Sequence, residues 1–349
     1  MAYSKILIRA TNWVGDAVMS LAAIRAVRAA FPQASIVVLA RPWVADLYAR
    51  ETAIDRVIPY SAASGFRDWR AKWRVARTLR KENFDCAILL QNAFEAAAVA
   101  WLARIPRRIG YERDGRGMLL TDPIAVPKPG EIPRHERFYY LEMLRRAGLI
   151  ETIPQSCAIR LEGAEAAAQA GAKLFAEQNI PAPVVGVSPG AAYGNAKRWL
   201  PERFAAAAMQ VAAEITQPSS GSIVLFGSAG ERELCETVAA IIRKSGGAAY
   251  NLAGQTTLAQ FIELAAACRV FLTNDSGAMH VASAVGVPTV AVFGATDDTT
   301  TGPTGPLARV VREPVECSPC LLRECPIDHR CMTRVPAERV AQIALELIR

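Results

Sequence analysis

The stretch from Val270 to Gly294 contains residues whose types and spacing suit phosphate binding. It consists of an apolar strand-like run, a polar cluster, a helix of small residues and a second strand. A helix that starts directly after a buried strand presents unpaired backbone N–H groups at its positive end, where phosphates bind. Asp275, Ser276, Gly277 and His280 fall at this helix start. On the motif alone a structural role is equally open: Asp275 or Ser276 then caps the helix, and His280 is a core residue.

Two further turns in the second half also combine small residues with one charged residue. Val184–Ser188 predicts a strand that runs into a Gly- and Pro-containing loop ending at Lys197, and Ser222–Phe226 predicts a strand followed by a turn at Glu231. In a doubly wound sheet, turns of this kind emerge at the carboxyl edge of the strands. We therefore expect Lys197, Glu231 and Asp275 to lie on the same edge of one sheet.

The first half offers a carboxylate in a similar position. Lys5–Ala10 predicts the first strand, and Asp16 follows it in a turn that leads into an apolar helix. A carboxylate at the tip of a strand is a suitable general base for a hydroxyl group. The alternative reading is that Asp16 caps the first helix.

The chain as a whole predicts two α/β domains with parallel sheets. Strand-like and helix-like runs alternate over 349 residues, of which 52% are hydrophobic. The periodicity lapses between Leu149 and Gln155, so we predict domains at 1–155 and 156–335 and a C-terminal helix at 336–349. Other predicted elements are strands Ser35–Leu39, Asp85–Leu90 and Thr289–Phe293 and helices Asp68–Lys81, Glu95–Ala103, Glu136–Ala147 and Ala164–Gln178.

Charge is distributed unevenly between the halves. Residues 1–150 contain 24 Lys and Arg against 14 Asp and Glu, a balance of +10, whereas residues 151–349 contain 16 against 19, a balance of −3. The first half therefore faces something anionic: nucleic acid, phosphorylated lipid or a membrane surface. Helix Asp68–Lys81, with six basic residues beside Trp69 and Trp73, suits an anionic lipid surface, although a solvated helix with its tryptophans on the sheet is the plainer alternative.

The cysteines indicate a compartment and a second kind of site. The absence of a long apolar run and of a secretory signal predicts a cytoplasmic protein. The single cysteines Cys86, Cys157, Cys235 and Cys268 are expected to be small buried side chains. A compact group with the spacing C-x2-C-x4-C-x5-C, with His329 inside it, suits structural zinc or free thiols, because disulfides are disfavoured in the cytoplasm. Its members are Cys317, Cys320, Cys325 and Cys331.

The residues exclude one familiar class and leave others open. No strand-to-helix turn has the spacing G-x-G-x-x-G, so a nicotinamide or flavin enzyme is not indicated. A zinc-dependent nucleic-acid-binding protein remains an alternative, although no basic helix accompanies the cysteines. A nucleotide-sugar epimerase on a similar two-domain fold is a further alternative, for which a second acid–base group cannot be assigned.

Three segments together resemble one family. TNWVGDAVMSLAAIRAVRAAFP near the start, PGAAYGNAKRWLPERF in the middle and TNDSGAMHVASAVGVPTVAVFG towards the end resemble the bacterial ADP-heptose:lipopolysaccharide heptosyltransferases. These are inverting glycosyltransferases of the GT-B fold, in which two Rossmann-like domains with parallel sheets face a central cleft. WVGDAVMS, AKRW and the late cysteines are more similar to heptosyltransferase II than to heptosyltransferase I. The resemblance covers the chain from about residue 5 to residue 293 and, with the cysteines, nearly to the end.

The resemblance implies roles for individual residues. Asp16 matches the catalytic base, and Lys197 matches a lysine on the donor diphosphate. The other matching residues belong to the donor site. Glu231 and Thr256 match positions for the ribose and the base, and Ser188 and Gly190 match phosphate contacts. The donor motif itself is matched by Asp275, Ser276, Gly277 and His280.

The implied reaction moves heptose from ADP-heptose to the first heptose of the lipopolysaccharide inner core, with heptosyl-Kdo2-lipid A as the acceptor. The resemblance implies that catalysis requires no metal or cofactor, and the sequence has no D-x-D turn. It also implies a peripheral enzyme at the cytoplasmic face of the inner membrane. The types of these residues agree with the implied reaction. It needs a cation and N–H donors for the leaving diphosphate and a base for the attacking hydroxyl.

Overall fold

The chain divides into two compact units after Ile159. We describe the protein from a computed structural model, which describes residues 3–63, 68–154, 159–215 and 221–349. The first unit is Met1–Ile159 and the second is Arg160–Arg349. Each unit contains one parallel sheet with helices between successive strands.

The first unit is built on a sheet with the strand order β3-β2-β1-β4-β5-β6. All of its strand pairs are parallel, so every carboxyl end lies at the same edge. The order reverses between β1 and β4, which is the position where open α/β sheets bind ligands. Its strands are β1 (Lys5–Arg9), β2 (Ser35–Ala40), β3 (Arg56–Pro59), β4 (Cys86–Leu89), β5 (Arg107–Tyr111) and β6 (Asp122–Ile124). Its helices are α1 (Val14–Ala30), α2 (Pro42–Tyr48), α3 (Trp69–Lys81), α4 (Phe94–Leu102) and α5 (Glu136–Arg146).

The second unit repeats this topology with β12-β11-β10-β7-β8-β9, and its order reverses between β7 and β10. Its strands are β7 (Val184–Ser188), β8 (Ser222–Leu225), β9 (Ala248–Asn251), β10 (Val270–Asn274), β11 (Thr289–Phe293) and β12 (Ala308–Arg312). Its helices are α6 (Ala164–Glu177), α7 (Pro201–Ile215), α8 (Arg232–Lys244), α9 (Leu258–Ala266), α10 (Gly277–Ala284), α11 (Asp298–Thr301), α12 (Arg330–Thr333) and α13 (Ala337–Ile348).

Continuous apolar runs explain the central strands of both sheets. Every residue of β4, β7, β10 and β11 is buried, as expected for parallel strands covered by helices on both faces. In the second unit, α7 and α13 pack together over the sheet, and Trp199 and Phe204 lie in that core. The central strands therefore give each carboxyl edge a rigid support.

The predicted fold class is confirmed, and the bounds of most predicted elements agree within two residues. Five strands were not predicted: β3, β5, β6, β9 and β12. Three of the four single cysteines are buried, and Cys157 lies outside the described residues. Within the ranges given above, no helix combines the length and the apolar character needed to span a bilayer.

Candidate active site

An ion pair lies where the second sheet reverses its strand order. The Lys197 ammonium donates to Asp275 Oδ2 at 2.5 Å, and the two side chains are only 12% and 6% exposed. Lys197 ends the loop after β7, and Asp275 directly follows β10, the neighbouring strand. The structure thus brings together two predicted residues that are 78 positions apart in the chain.

Neighbouring side chains hold the pair in place. The Thr296 hydroxyl donates to Asp275 Oδ2 at 2.6 Å, and the Tyr193 ring lies 4.8 Å from the Lys197 ammonium. Asn274 accepts from the Trp199 backbone N–H at 3.0 Å and donates to the Pro189 carbonyl at 2.8 Å, which fixes both ends of the Lys197 loop to β10. Sequence analysis missed Thr296, although its position directly beyond β11 follows the same rule that found Asp275.

The start of α10 is arranged as the motif predicted, but its cap is different. Ser276 occupies the cap position with extended backbone, and its hydroxyl lies 3.2 Å from the Thr273 hydroxyl instead of capping the helix. Asp275 is engaged by Lys197 and Thr296. Gly277 is the first residue of α10, and the backbone N–H groups of its first turn do not donate to the Ser276 side chain. His280, in the same helix, is 5% exposed.

The loop after β7 also approaches the turn after β8. A Cβ atom at Gly190 would lie 2.1 Å from Glu231 Oε1, so any larger residue would displace the Glu231 carboxylate from this position. Glu231 Oε2 accepts from the Ser228 backbone N–H and hydroxyl, both at 2.8 Å, in a capping box. Ser188, the last residue of β7, is buried at the base of the loop.

Thr256 lies farther along the same edge, in the turn between β9 and α9. That turn contacts the β8–α8 turn, because the Gly254 N–H donates to the Gly227 carbonyl at 2.9 Å. Thr257, the next residue, caps α9. Thr256 therefore shares the edge with Glu231.

The cysteine-bearing segment braces the Lys197 loop. The Arg323 carbonyl accepts from the Ala196 N–H at 2.9 Å, the His329 ring lies 3.1 Å from the Ala196 carbonyl, and the Tyr193 hydroxyl donates to the Leu321 carbonyl at 2.7 Å. His329, which the sequence placed among the cysteines, thus contacts the loop that carries Lys197.

The predicted zinc site in this segment is not confirmed. Cys331 is buried, while Cys317 is exposed and Cys320 and Cys325 are partly exposed. Burial, together with the nearby charges of the other three thiolates, raises the pKa of Cys331 to about 11. Across the described ranges, no group of three or more His, Cys, Asp or Glu residues is placed to hold a metal ion.

In the first unit, Asp16 lies in the first turn of α1, the helix that follows β1. The order of the sheet reverses between β1 and its neighbour β4. Trp13 occupies the cap position of that helix, so Asp16 is not its cap. Glu136, the first residue of α5, is its neighbour: burial, and next the Asp16 charge, raise the pKa of the Glu136 carboxyl. Sequence analysis missed this second carboxylate, because only the packing of α5 on α1 brings it near.

Comparison with known proteins identifies the family. The family model described as glycosyltransferase family 9 (heptosyltransferase) matches residues 72–330. The chain is 34% identical over 316 residues to lipopolysaccharide heptosyltransferase 2 of Salmonella typhimurium, with 88% of each chain covered.

Two solved structures have the same architecture. Escherichia coli ADP-heptose LPS heptosyltransferase II gives a TM-score of 0.80 at 29% identity, covering 99% of this chain and 98% of that one. A family 9 glycosyltransferase from Veillonella parvula gives 0.83 at 20% identity, covering 99% and 97%. The chain belongs to glycosyltransferase family 9, the heptosyltransferases. The predicted GT-B fold, family and enzyme class are confirmed.

Proposed function

We propose that this heptosyltransferase moves L-glycero-D-manno-heptose from ADP-heptose to the first heptose of the lipopolysaccharide inner core. The names of its relatives support the two substrates. The observation that carries the donor half is the buried Lys197–Asp275 pair at the point where the second sheet reverses its order. This is where an open parallel sheet binds a nucleotide.

In the proposed donor complex, Lys197 and the start of α10 stabilise the diphosphate. An ammonium has three N–H donors, so Lys197 can keep its bond to Asp275 and direct the others at a phosphate oxygen. The bond to Asp275 then orients the ammonium before the donor arrives. The backbone N–H groups at Gly277 add oriented dipoles, and both favour the charge that develops on the departing ADP.

The other predicted donor residues surround this pair. We assign Ser188 and Gly190 to the phosphate side, because their loop ends at Lys197. Glu231 is held rigidly by Ser228, so its carboxylate suits a ribose hydroxyl, and Thr256 on the next turn suits the base. Ser276 and His280 complete the wall around the start of α10.

Asp16 is the proposed general base. As the acceptor oxygen bonds to the anomeric carbon, its proton passes to the Asp16 carboxylate and the bond from that carbon to the phosphate oxygen breaks. ADP leaves with the electron pair, and attack opposite to it inverts the anomeric centre. Asp16 therefore has to be ionised and within about 2.6–3.2 Å of the hydroxyl.

We further propose that the enzyme acts at the cytoplasmic face of the inner membrane without a catalytic metal. Exposed Arg74 and Arg77 on α3 lie beside Trp73, which is 47% exposed, and basic and aromatic side chains together favour anionic lipid surfaces. Structural zinc at the late cysteines stays a prediction, and metal analysis of the purified protein decides it: one equivalent supports zinc and none rules it out.

The test of the function is transfer from ADP-heptose to two purified acceptors. We expect heptose to be added to heptosyl-Kdo2-lipid A and not to Kdo2-lipid A, which lacks the first heptose. The opposite preference would identify a heptosyltransferase I activity. Conversion of the donor without any acceptor would identify an epimerase, and binding of short DNA instead of ADP-heptose would favour the nucleic-acid-binding alternative.

A further inference from the structure

Arg323 is a second cation beside Lys197, and it belongs to the cysteine-bearing segment, residues 317–331. Its guanidinium carbon lies 5.4 Å from the centroid of the Tyr193 ring, and the Lys197 ammonium lies 4.8 Å from the same centroid. The distance between the two charges is therefore at most the sum of these two distances. The Tyr193 ring thus connects the cation of the Lys197 loop with a cation from a distant part of the chain.

The backbone of Arg323 is attached to the Lys197 loop. Its carbonyl accepts from the N–H of Ala196, the residue before Lys197, at 2.9 Å. A Cβ atom at Gly194 would lie 2.2 Å from the same carbonyl oxygen, so a larger residue there would push the loop and the segment apart. The two backbones are in direct contact, and the position of Arg323 is therefore tied to that of Lys197.

The segment is also attached to the residues that follow β11. The Ser318 hydroxyl donates to the Gly294 carbonyl at 2.6 Å, and the Leu321 N–H donates to the Ala295 carbonyl at 2.8 Å. In the sheet, β10 lies between β7 and β11 and ends at the residue before Asp275. Contacts on both sides of β10 therefore hold the segment at the edge that carries the ion pair.

The guanidinium of Arg323 is available to a ligand. The residue is exposed, and within the part of the chain that the structure describes no group accepts a hydrogen bond from this guanidinium or forms an ion pair with it. The contact with the Tyr193 ring stabilises the charge but gives its N–H groups no oxygen acceptor. An arginine has five N–H donors in a planar fork that matches two oxygens of one phosphate.

The charge of the donor favours a second cation at this edge. Lys197 is paired with Asp275, so the pair as a whole is neutral. A diphosphate carries negative charge on both phosphates, and the charge on ADP increases as the bond to the sugar breaks. A cation that is not already paired with a carboxylate compensates this charge, and its effect is largest when the charge has developed.

We propose that the Arg323 guanidinium contacts the diphosphate of the donor and, together with Lys197, stabilises the departing ADP. This inference rests on the proposed function, because it adds a residue to the donor site of that reaction. Tyr193 is a positioning residue: its ring contacts both cations, and its hydroxyl donates to the Leu321 carbonyl at 2.7 Å. The cysteine-bearing segment then supplies part of the donor site in addition to bracing the Lys197 loop.

Calorimetry with ADP and with adenosine, which has no phosphate, tests the contact. Arg323→Gln is expected to weaken ADP binding roughly tenfold, because a charge-assisted contact is lost, and to change adenosine binding less than about twofold. Arg323→Lys should recover part of the loss, because it restores the charge without the planar fork. Arg334→Gln, at an exposed arginine of the same unit, is the matched control and should leave both affinities near the parental values. Unchanged ADP affinity in Arg323→Gln, or equal losses for ADP and adenosine, overturns the inference.

A double variant separates direct contact from an effect that passes through Lys197. Lys197→Ala with Arg323→Gln should bind ADP at least about threefold more weakly than Lys197→Ala alone, because two contacts to one ligand are at least partly additive. If the double variant shows no further loss, Arg323 acts only through Lys197 and the proposed contact is wrong.

Chemical modification of the parent protein covers failure of Arg323→Gln to fold. Phenylglyoxal reacts with exposed arginines, and mass spectrometry of peptides measures its rate at Arg323 and at Arg334. ADP should slow the reaction at Arg323 and not at Arg334, whereas adenosine should leave both rates unchanged. A rate at Arg323 that saturating ADP does not change overturns the inference. A parent that binds no ADP would instead contradict the proposed function, and the two failures are therefore distinct.

Discussion

The two units have the same strand order but different chemistry at the carboxyl edge. In the second unit the buried charges are matched, because Lys197 is paired with Asp275 and Thr296 completes the contacts. In the first unit Arg41 and Lys72 both pair with Glu95 at 3.2 Å, and Trp69 and Trp73 on α3 are exposed.

This difference indicates what each edge is built to meet. In the second unit, Asp275 already holds Lys197 in position, which suits the single donor of the proposed reaction. The first unit instead exposes the tryptophans of α3, aromatic surfaces that suit the large acceptor of the proposed reaction. The sheets supply equivalent supports, and the residues that follow the strands determine the ligand.

The largest expected effect separates chemistry in the first unit from binding in the second. Asp16→Asn keeps the size of the side chain but removes the base, so turnover should fall roughly 10²–10⁴-fold while ADP affinity stays nearly constant. Asp114→Asn, at an exposed position of the same unit, is the matched control. Parental turnover in Asp16→Asn, or its failure to fold, would make Asp16 a structural residue.

The second prediction concerns binding of the donor in the second unit. Lys197→Ala should weaken ADP binding by roughly 1.5–3 kcal/mol, because a charge-assisted contact to the diphosphate is lost. Calorimetry measures this loss, with Lys173→Ala at an exposed position as the control. If ADP affinity stays at the parental value, the donor assignment is wrong. A thermal melt checks the separate cost of leaving Asp275 without its lysine.

A third change tests whether the basic surface belongs to the first unit alone. Arg74→Glu with Arg77→Glu should weaken binding to vesicles containing anionic lipid at least about tenfold, because each basic side chain near such a surface contributes about 1 kcal/mol. ADP binding should not change. Lys173→Glu with Lys244→Glu makes the same charge change on exposed residues of the second unit. Similar vesicle binding by the two double variants would remove the proposed membrane face.

The smallest expected effect concerns stability and pH. Because the pKa of Glu136 is raised above 4.5, the folded state favours its protonated form. The stability from this group is therefore present below the unfolded-state pKa and is lost as pH rises through the folded-state pKa. Glu136→Gln should abolish this pH-dependent loss of folding free energy, which is on the order of 1 kcal/mol or less.

Denaturant unfolding of parent and variant from about pH 4 to about pH 8 measures the difference. Glu165→Gln is the control, since Glu165 lies in the first turn of α6 and is exposed. A parent whose stability rises with pH relative to Glu136→Gln would contradict this reading of the Asp16 surroundings.

Sequence patterns predicted the central strands well because those strands are long apolar runs. They missed β3, whose ends are exposed, and β6, which has three residues with Pro123 in the middle. Lys197 and Asp275 were each predicted, but their direct contact was not, because it depends on the order of strands in the folded sheet. The Arg41–Glu95 pair was not predicted, since an isolated arginine has no spacing that indicates its partner.

The brace formed by the cysteine-bearing segment has a consequence for biosynthesis. Ala196 is held by His329, 133 positions later in the chain. At about 5–20 residues per second, a ribosome adds that stretch in roughly 7–27 s. During this interval the Lys197 loop has been made but not its support. A chain interrupted before residue 320 would therefore keep the contacts of Asn274 with both ends of the loop but lack those of Tyr193 and Ala196 with the cysteine-bearing segment, so the loop gains its full set of contacts only near the end of translation.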